Sequence, residues 1–485
     1  MWPRHTGDFS VFRVYAGPDN RPADYSPENR PYKAEKFLKI SLGGYDEGDF
    51  AMIMGFPGST QRYMTSYEID RLLEVENPQR IFIRGERQVI LKEDMAASAK
   101  VRIQYASKYA QSSNYWKNSI GKSRGIRRLD VKGRKQEQEA AFTAWAAKNT
   151  LPTEGYSNAL NLIRESVEET APYFASSQYL SEAIGRSVEI LAPARLAVSK
   201  KGGELTEALK AFYKDYNMPT DRRVAKRMFR IVGENCKELP SVFAEVIGKR
   251  FGGDTDAYVD YLYDNSVFAD ERKALAAAAA GTDVSNDPAV LLNKSYTAKM
   301  RELVAAQLAG KRKFADGQRL YIAGLMRMQP NKAWASDANF TLRLTYGRVL
   351  PYDPADGIHY NYYTTLKGVM EKENPQNPTE FTVPARLKEL YAAKDFGRYA
   401  NERGELPVAF LADCDITGGN SGSPVLNAKG ALLGLAFDGN WEAMSGDVAF
   451  EPELQRTIAV DVRYVLFVID KFAGAGWLLD ELQFE

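Results

Sequence analysis

The sequence predicts a mixed β and α protein: a β-structured body carrying a large helical insertion. Two changes of pattern along the chain lead there. Residues 1 to about 60 read as strands, residues from about 61 to 337 read as helices, and strands return from about 338 onward. The expected organisation is therefore 1–60, 61–337 and 338–485, and 485 residues are ample for more than one core.

The elements follow in order. FSVFRVYA is rich in aromatic and β-branched residues, and FLKISL alternates Leu38, Ile40 and Leu42 with Lys39 and Ser41, so both read as strands. DFAMIMGFPG reads as a buried strand ending in a turn at Gly55 to Gly58. In the helical block, Tyr156, Leu160, Ile163 and Val167 fall on one stripe, and Pro172 is expected to end that helix. EAAFTAWAAKN, KRMFRIVGENCKELPSVFAEVIGKRF and MRELVAAQLAGKR are similar, and Gly281 stands where a C-cap glycine is expected after ERKALAAAAA. Beyond 338, NFTLRLTYGRVL alternates Phe340, Leu342 and Leu344 with polar residues. SPVLNAKGALLGLAFDG reads as strand, tight turn and strand, and TIAVDVRYVLFVIDKF as a strand passing into a terminal helix.

Composition excludes some functions. Lys plus Arg number 64 against 63 Asp plus Glu, and the net charge of +1 predicts no bulk attraction to nucleic acid or anionic membrane. No apolar run approaches the roughly 20 residues needed to cross a bilayer, so a soluble chain without a membrane span is expected. Cys236 and Cys414 form neither a ligand pattern nor a disulfide framework, and no metal site or cofactor is expected. The basic run KSRGIRRLDVKGRK leads into an acidic helical stretch and reads as a solvated helix face. The tyrosines of IHYNYYTT read as strand packing.

The motif with chemistry is GGNSGSP, Gly418 to Pro424. Acyl transfer by a serine needs its hydroxyl on a tight turn and two backbone N–H groups to hold the developing oxyanion. Gly419 and Gly422 permit that turn around Ser421, and the N–H groups of Gly419 and Ser421 have the required two-residue spacing. A proline and a hairpin follow, as behind the nucleophile of chymotrypsin-like proteases. In that architecture the triad aspartate opens a strand, a place Asp8 of GDFSVFRVY fits, with the histidine before it. His5 lies only three residues from Asp8, and His359 sits among tyrosines; neither is in that position. The opening MWPRHTGDFSVFRVY runs straight into strand-like sequence without a basic region and apolar core, so a chain truncated at its N-terminus is expected.

MWPRHTGDFSVFRVY, GFPGSTQRY, SSNYWKNSIGK, YTTLKGVMEK and GGNSGSPVLNAKGALLGLAFDGNWE together resemble the bacterial serine dipeptidyl peptidases of the dipeptidyl peptidase 7 and 11 type, exopeptidases of the chymotrypsin clan. The resemblance runs over the whole chain. It implies a double β-barrel, its first barrel incomplete here, with the helical domain inserted in the second. It makes Asp8 the triad aspartate, Ser421 the nucleophile, and Gly419 with Ser421 the oxyanion hole. Asn114 of SSNYWK matches a residue that binds the substrate's α-ammonium group, and Asp438 of FDGN an acidic residue beside it. Gly439 falls where the family sets preference for the residue before the cut: an arginine there suits Asp or Glu, and a glycine leaves the pocket open to apolar or aromatic residues.

Against the family pattern, the catalytic histidine and an Asn and a Trp of the amine site are absent from these residues. The resemblance further implies peptide substrates with a free N-terminus, a homodimer, and a periplasmic or secreted location. The expected function is release of dipeptides from peptide N-termini, after a hydrophobic or aromatic residue. A non-catalytic protein that binds peptide N-termini and a glutamyl-type endopeptidase are the alternatives.

Overall fold

The structure is a computed structural model describing residues 2–378 and 380–485. It divides into two compact units, residues 1–63 with 335–485, and residues 64–334.

The first unit is built on one antiparallel sheet of seven strands. In chain order these are β1 (Phe50–Gly55), β2 (Arg343–Arg348), β3 (Tyr363–Thr365), β4 (Pro407–Ala412), β5 (Pro424–Leu426), β6 (Leu432–Gly439) and β7 (Thr457–Asp461). Their order across the sheet is β2-β1-β5-β6-β7-β4-β3. Val349, just past β2, makes one antiparallel bridge to Ala412 at the end of β4. Beyond that bridge no ladder closes the sheet among the described residues, so the expected barrel is not established as a closed cylinder.

The apolar run of β1 puts Ala51 and Ile53 into a core with Phe410, Val425, Leu433 and Ala436. A second core forms around Val408, Val460, Leu466 and Phe467. The turn Asn427 to Gly430 works as its sequence requires: Gly430 takes a φ of +80°, and Asn427 Oδ1 accepts from the N–H groups of Lys429 and Ala431. Asp461 ends β7 and caps the following helix, Val462–Phe467, by accepting from the Arg463 N–H.

Two strand expectations are corrected. Phe9 to Val14 is not strand; only Tyr15–Ala16 pairs, with Arg30–Pro31, and Phe12 is 86% exposed. Apolar alternation creates a strand only where a neighbour supplies a ladder, and none is present among the described residues for this stretch. FLKISL is reduced to isolated bridges of Ile40 to Leu432 and Phe484. The apolar row expected from NFTLRLTYGRVL does form on β2 but faces outward, with Phe340 71% and Tyr346 70% exposed and Leu342, Leu344, Met54 and Phe50 exposed with them.

The second unit is helical. Its elements include α1 (Asn77–Ala97), α2 (Ala99–Arg128), α3 (Ala159–Tyr179), α4 (Leu191–Ser199), α5 (Met218–Asn235) and α6 (Leu308–Met328). Gly281 closes the helix Glu271–Ala280 with a φ of +64°, as expected. Pro172 does not end α3, which continues to Tyr179. The buried stripe of α3 is Ala159, Ile163, Ser166 and Thr170, displaced by one helical row from the expected one. The cause lies on α6: a Cβ at Gly310 would overlap Thr170, and one at Gly317 would lie 2.8 Å from the Ala159 carbonyl oxygen. Small residues on both helices allow backbone approach, and packing along α3 offsets the hydrogen bond lost at Pro172.

Candidate active site

The loop between β4 and β5 is shaped from within. Asn420 and Ser423 are buried, while Gly418, Gly419, Ser421 and Gly422 are exposed. The Asn420 N–H donates to the Thr417 carbonyl at 3.1 Å, the Thr417 N–H donates to Asn420 Oδ1 at 3.2 Å, and the Ser423 N–H donates to the Asn420 carbonyl at 2.9 Å. Gly422 and Ala436 tie the loop to β6, the Gly422 N–H donating to the Ala436 carbonyl and the Ala436 N–H to the Ser423 carbonyl. Upstream, Arg62 makes a two-pronged pair with Asp415, 2.9 Å to each oxygen, and Thr417 donates to Asp447.

Two glycines take conformations that other residues adopt at a cost: φ is +110° at Gly419 and +85° at Gly422. Gly419 is also constrained by contact, since a Cβ there would collide with the Phe56 carbonyl oxygen and lie 2.8 Å from the Gly58 nitrogen. The Gly58 N–H donates to the Gly418 carbonyl at 2.6 Å, so the turn Gly55 to Gly58 braces the loop from below. The N–H groups of Gly419 and Ser421 then have no acceptor among the described residues, and neither has the Ser421 hydroxyl.

The remaining expected residues fall as follows. Asp8 is exposed and has no hydrogen bond among the described residues, to Ser421 or otherwise; its neighbour Gly7 packs against Tyr464. Asp438 and Gly439 end β6. The Asp438 carboxylate pairs with Arg4 at 3.0 Å and accepts from the Gly439 N–H at 2.9 Å. Gly439 faces Ala443: a Cβ there would lie 3.0 Å from the Ala443 Cβ. Asn114 lies on α2 of the helical unit, exposed, with no hydrogen bond among the described residues.

Neither histidine hydrogen-bonds Ser421. His5 sits against Gly368, and burial, then the nearby Lys372 charge, lowers its pKa to about 4. His359 is exposed and pairs with Asp353 at 2.8 Å. Cys414, seven residues before Ser421, is buried with its thiol pushed up to about 12 by burial, which makes it a poor nucleophile. Among the described residues no group of His, Cys, Asp or Glu could hold a metal ion.

Sequence reasoning missed Arg4, which joins Asp438 from 434 residues away without any local signal. It also missed Asn420, whose side chain organises the turn; an Asn before a Gly-flanked serine is a readable turn signal.

The profile of the Peptidase S46 family matches residues 1–484. Dipeptidyl-peptidase 7 of Porphyromonas gingivalis is 48% identical over 496 residues, covering 100% of this chain and 69% of the relative. Dipeptidyl-peptidase 7 of Phocaeicola vulgatus is 49% identical, covering 99% and 69%. An Asp/Glu-specific dipeptidyl-peptidase of Porphyromonas gingivalis is 41% identical, with 99% and 69% covered. Among solved structures, Porphyromonas endodontalis DPP11 in complex with the dipeptide Arg-Glu superposes with a TM-score of 0.90 at 37% identity, covering 100% of this chain and 71% of that one. The turn Gly418 to Pro424, the sheet that carries it and the helical unit thus occur together in a chain that belongs to the peptidase S46 family.

Proposed function

We propose that this chain works as a serine dipeptidyl peptidase, with Ser421 as nucleophile, and cleaves after a hydrophobic or aromatic second residue. The observation that carries the reading is the turn at Gly419 to Ser421: an exposed serine hydroxyl beside two N–H groups without acceptors among the described residues, on a turn that leaves no room for a Cβ at Gly419. Such donors hold the negative charge that develops on the carbonyl oxygen as the serine attacks. The serine's proton must pass to a base, and neither His5 nor His359 is placed to take it. Asp8 is the carboxylate that would orient that base.

Substrate is held at two ends in this reading. Asp438 is the carboxylate that would receive the α-ammonium group, which fixes the distance from the free N-terminus to the cut at two residues. Arg4, already on Asp438, leaves that carboxylate partly neutralised until an ammonium competes for it. Gly439 supplies no charge to the pocket for the second residue. Asp/Glu specificity, as some relatives' names describe, would call for a cation there. The nearby guanidinium of Arg456 is buried on the carbonyls of Pro351, Pro452 and Gln455, and that of Arg4 is on Asp438. The finer fold reading, a chymotrypsin-like barrel, draws support from the Val349–Ala412 bridge and the Asp413 N–H donating to the Arg348 carbonyl at 3.0 Å.

Dipeptidyl fluorogenic substrates ending in Phe, Leu, Asp or Glu test the reading, using the protein as its organism makes it. Expected are higher kcat/KM for Phe and Leu, loss of activity on N-acetylation of the substrate, and loss in Ser421→Ala. Faster cleavage after Asp or Glu overturns the preference. Cleavage of blocked peptides supports an endopeptidase instead, and binding without cleavage in both forms supports a non-catalytic protein.

A further inference from the structure

A cavity of about 430 Å³ lies within the helical unit, between α1, α2, the turn after α3 and the start of α4. Its walls carry five cationic side chains, Arg84, Arg87, Lys108, Arg186 and Arg195, against the carboxylates of Glu182, Glu189 and Asp215. Two of the carboxylates are already shared. Glu182 takes two hydrogen bonds from Arg84, at 2.8 and 3.2 Å, with Arg80 at 3.7 Å and Arg186 at 3.9 Å. Glu189 holds Lys108, and its other oxygen lies 3.8 Å from Arg87, beyond hydrogen-bond distance. Among the described residues Arg195 has only neutral partners, donating from Nε to Asn293 Oδ1 at 3.1 Å and lying beside the Tyr296 ring. Five cations thus face three carboxylates, and the lining carries an excess of positive charge.

Arg87 and Arg195 also carry unpaired donors. Among the described residues, Arg87 Nε, one terminal nitrogen of Arg195, and the Ser112 hydroxyl are buried without a hydrogen-bond partner, and all three residues line the cavity. Arg87 is 8% exposed and Ser112 2%. A buried donor without an acceptor is costly, so three such groups lining one cavity call for a shared acceptor. The turn at this wall, Leu180–Gly185, is a π-helix, a local distortion often found at functional sites. Asn114 is elsewhere: at ~100° per residue it lies about 200° around α2 from Ser112.

We propose that this cavity binds a small oxyanion, a carboxylate or a phosphate, held by Arg87, Ser112 and Arg195. Only an acceptor with several oxygen lone pairs satisfies two guanidinium edges and a hydroxyl together. The volume is in the range of small-molecule sites.

Thermal unfolding of the whole protein, in a phosphate-free buffer, is titrated with sodium phosphate and separately with sodium succinate, against sodium chloride at equal ionic strength. A saturable rise in Tm beyond the chloride control is expected with one or both. Phosphate alone or succinate alone identifies which oxyanion is taken. Arg195→Met keeps the aliphatic stem and removes the donors, and Ser112→Ala removes the hydroxyl with little change of volume. Each is expected to weaken the titration roughly tenfold or more; Ser112→Ala leaves the Tm without ligand close to that of the parent, whereas Arg195→Met lowers it by also removing the bond to Asn293. No saturable rise with either anion, or a rise the same in both variants, overturns the proposal.

Discussion

Gly419 joins two demands in one residue, a backbone turned to φ +110° and no room for a Cβ against the Phe56 carbonyl oxygen. Gly419→Ala should therefore turn the peptide N–H away from the proposed oxyanion position while the rest of the sheet keeps its ladders. We expect kcat to fall roughly 10²-fold or more, the scale of one lost oxyanion donor, with an unchanged far-ultraviolet circular dichroism spectrum. Gly439 tests specificity in the same way. An arginine placed there has to press Ala443 aside by a few tenths of an ångström, because its Cβ starts 3.0 Å away. Gly439→Arg is expected to raise kcat/KM after Glu relative to Phe by roughly tenfold or more, as one charge-assisted pair would. An unchanged ratio would place the specificity determinant elsewhere.

At the scale of elements, the segment before Asp8 is held by side-chain anchors rather than by a ladder. Trp2 donates to the Asn361 carbonyl at 3.1 Å, Thr364 to the Arg4 carbonyl at 2.5 Å, and His5 fills the space above Gly368. The anchor at His5 should be sensitive to acid. Its pKa falls from 6.5 to about 4 on folding, so the folded chain holds the neutral ring. Stability from this group is complete above about pH 6.5 and declines as pH falls toward about 4, because the unfolded chain then binds the extra proton. Urea unfolding midpoints should drop over that window, and less steeply in His5→Gln. Equal slopes would mean that His5 does not bear this acid sensitivity.

The same segment marks where sequence reading ended. The hairpin of β5 and β6 and the turn before it were legible because their signals are local: glycines at fixed offsets, an Asn-led turn, apolar runs on either side. FSVFRVY carries an equally strong β pattern, yet its fate depends on a partner strand that its own residues cannot reveal. Pro172 misled for a related reason, since the helix that carries it is stabilised from α6 through Gly310 and Gly317, over a hundred residues away. The Arg4–Asp438 pair had no signal at all, as an arginine and an aspartate are ordinary residues until folding brings them together.

For the molecule as a whole, the net charge of +1 leaves almost no mutual repulsion between copies near neutral pH. The outward row of Phe340, Leu342, Leu344 and Tyr346, with Met54 and Phe50, then acts without opposition. Because apolar association weakens on cooling and strengthens with sulfate, solution behaviour should follow the thermometer and the salt. Sedimentation velocity of the 485-residue chain is expected to show concentration-dependent association that grows on warming. Leu344→Lys with Tyr346→Lys should suppress it, and a single species at every concentration and temperature would contradict it. The expected consequence is a chain that disperses best in the cold, at low salt and in mild detergent, where an outward apolar row attracts least or is covered.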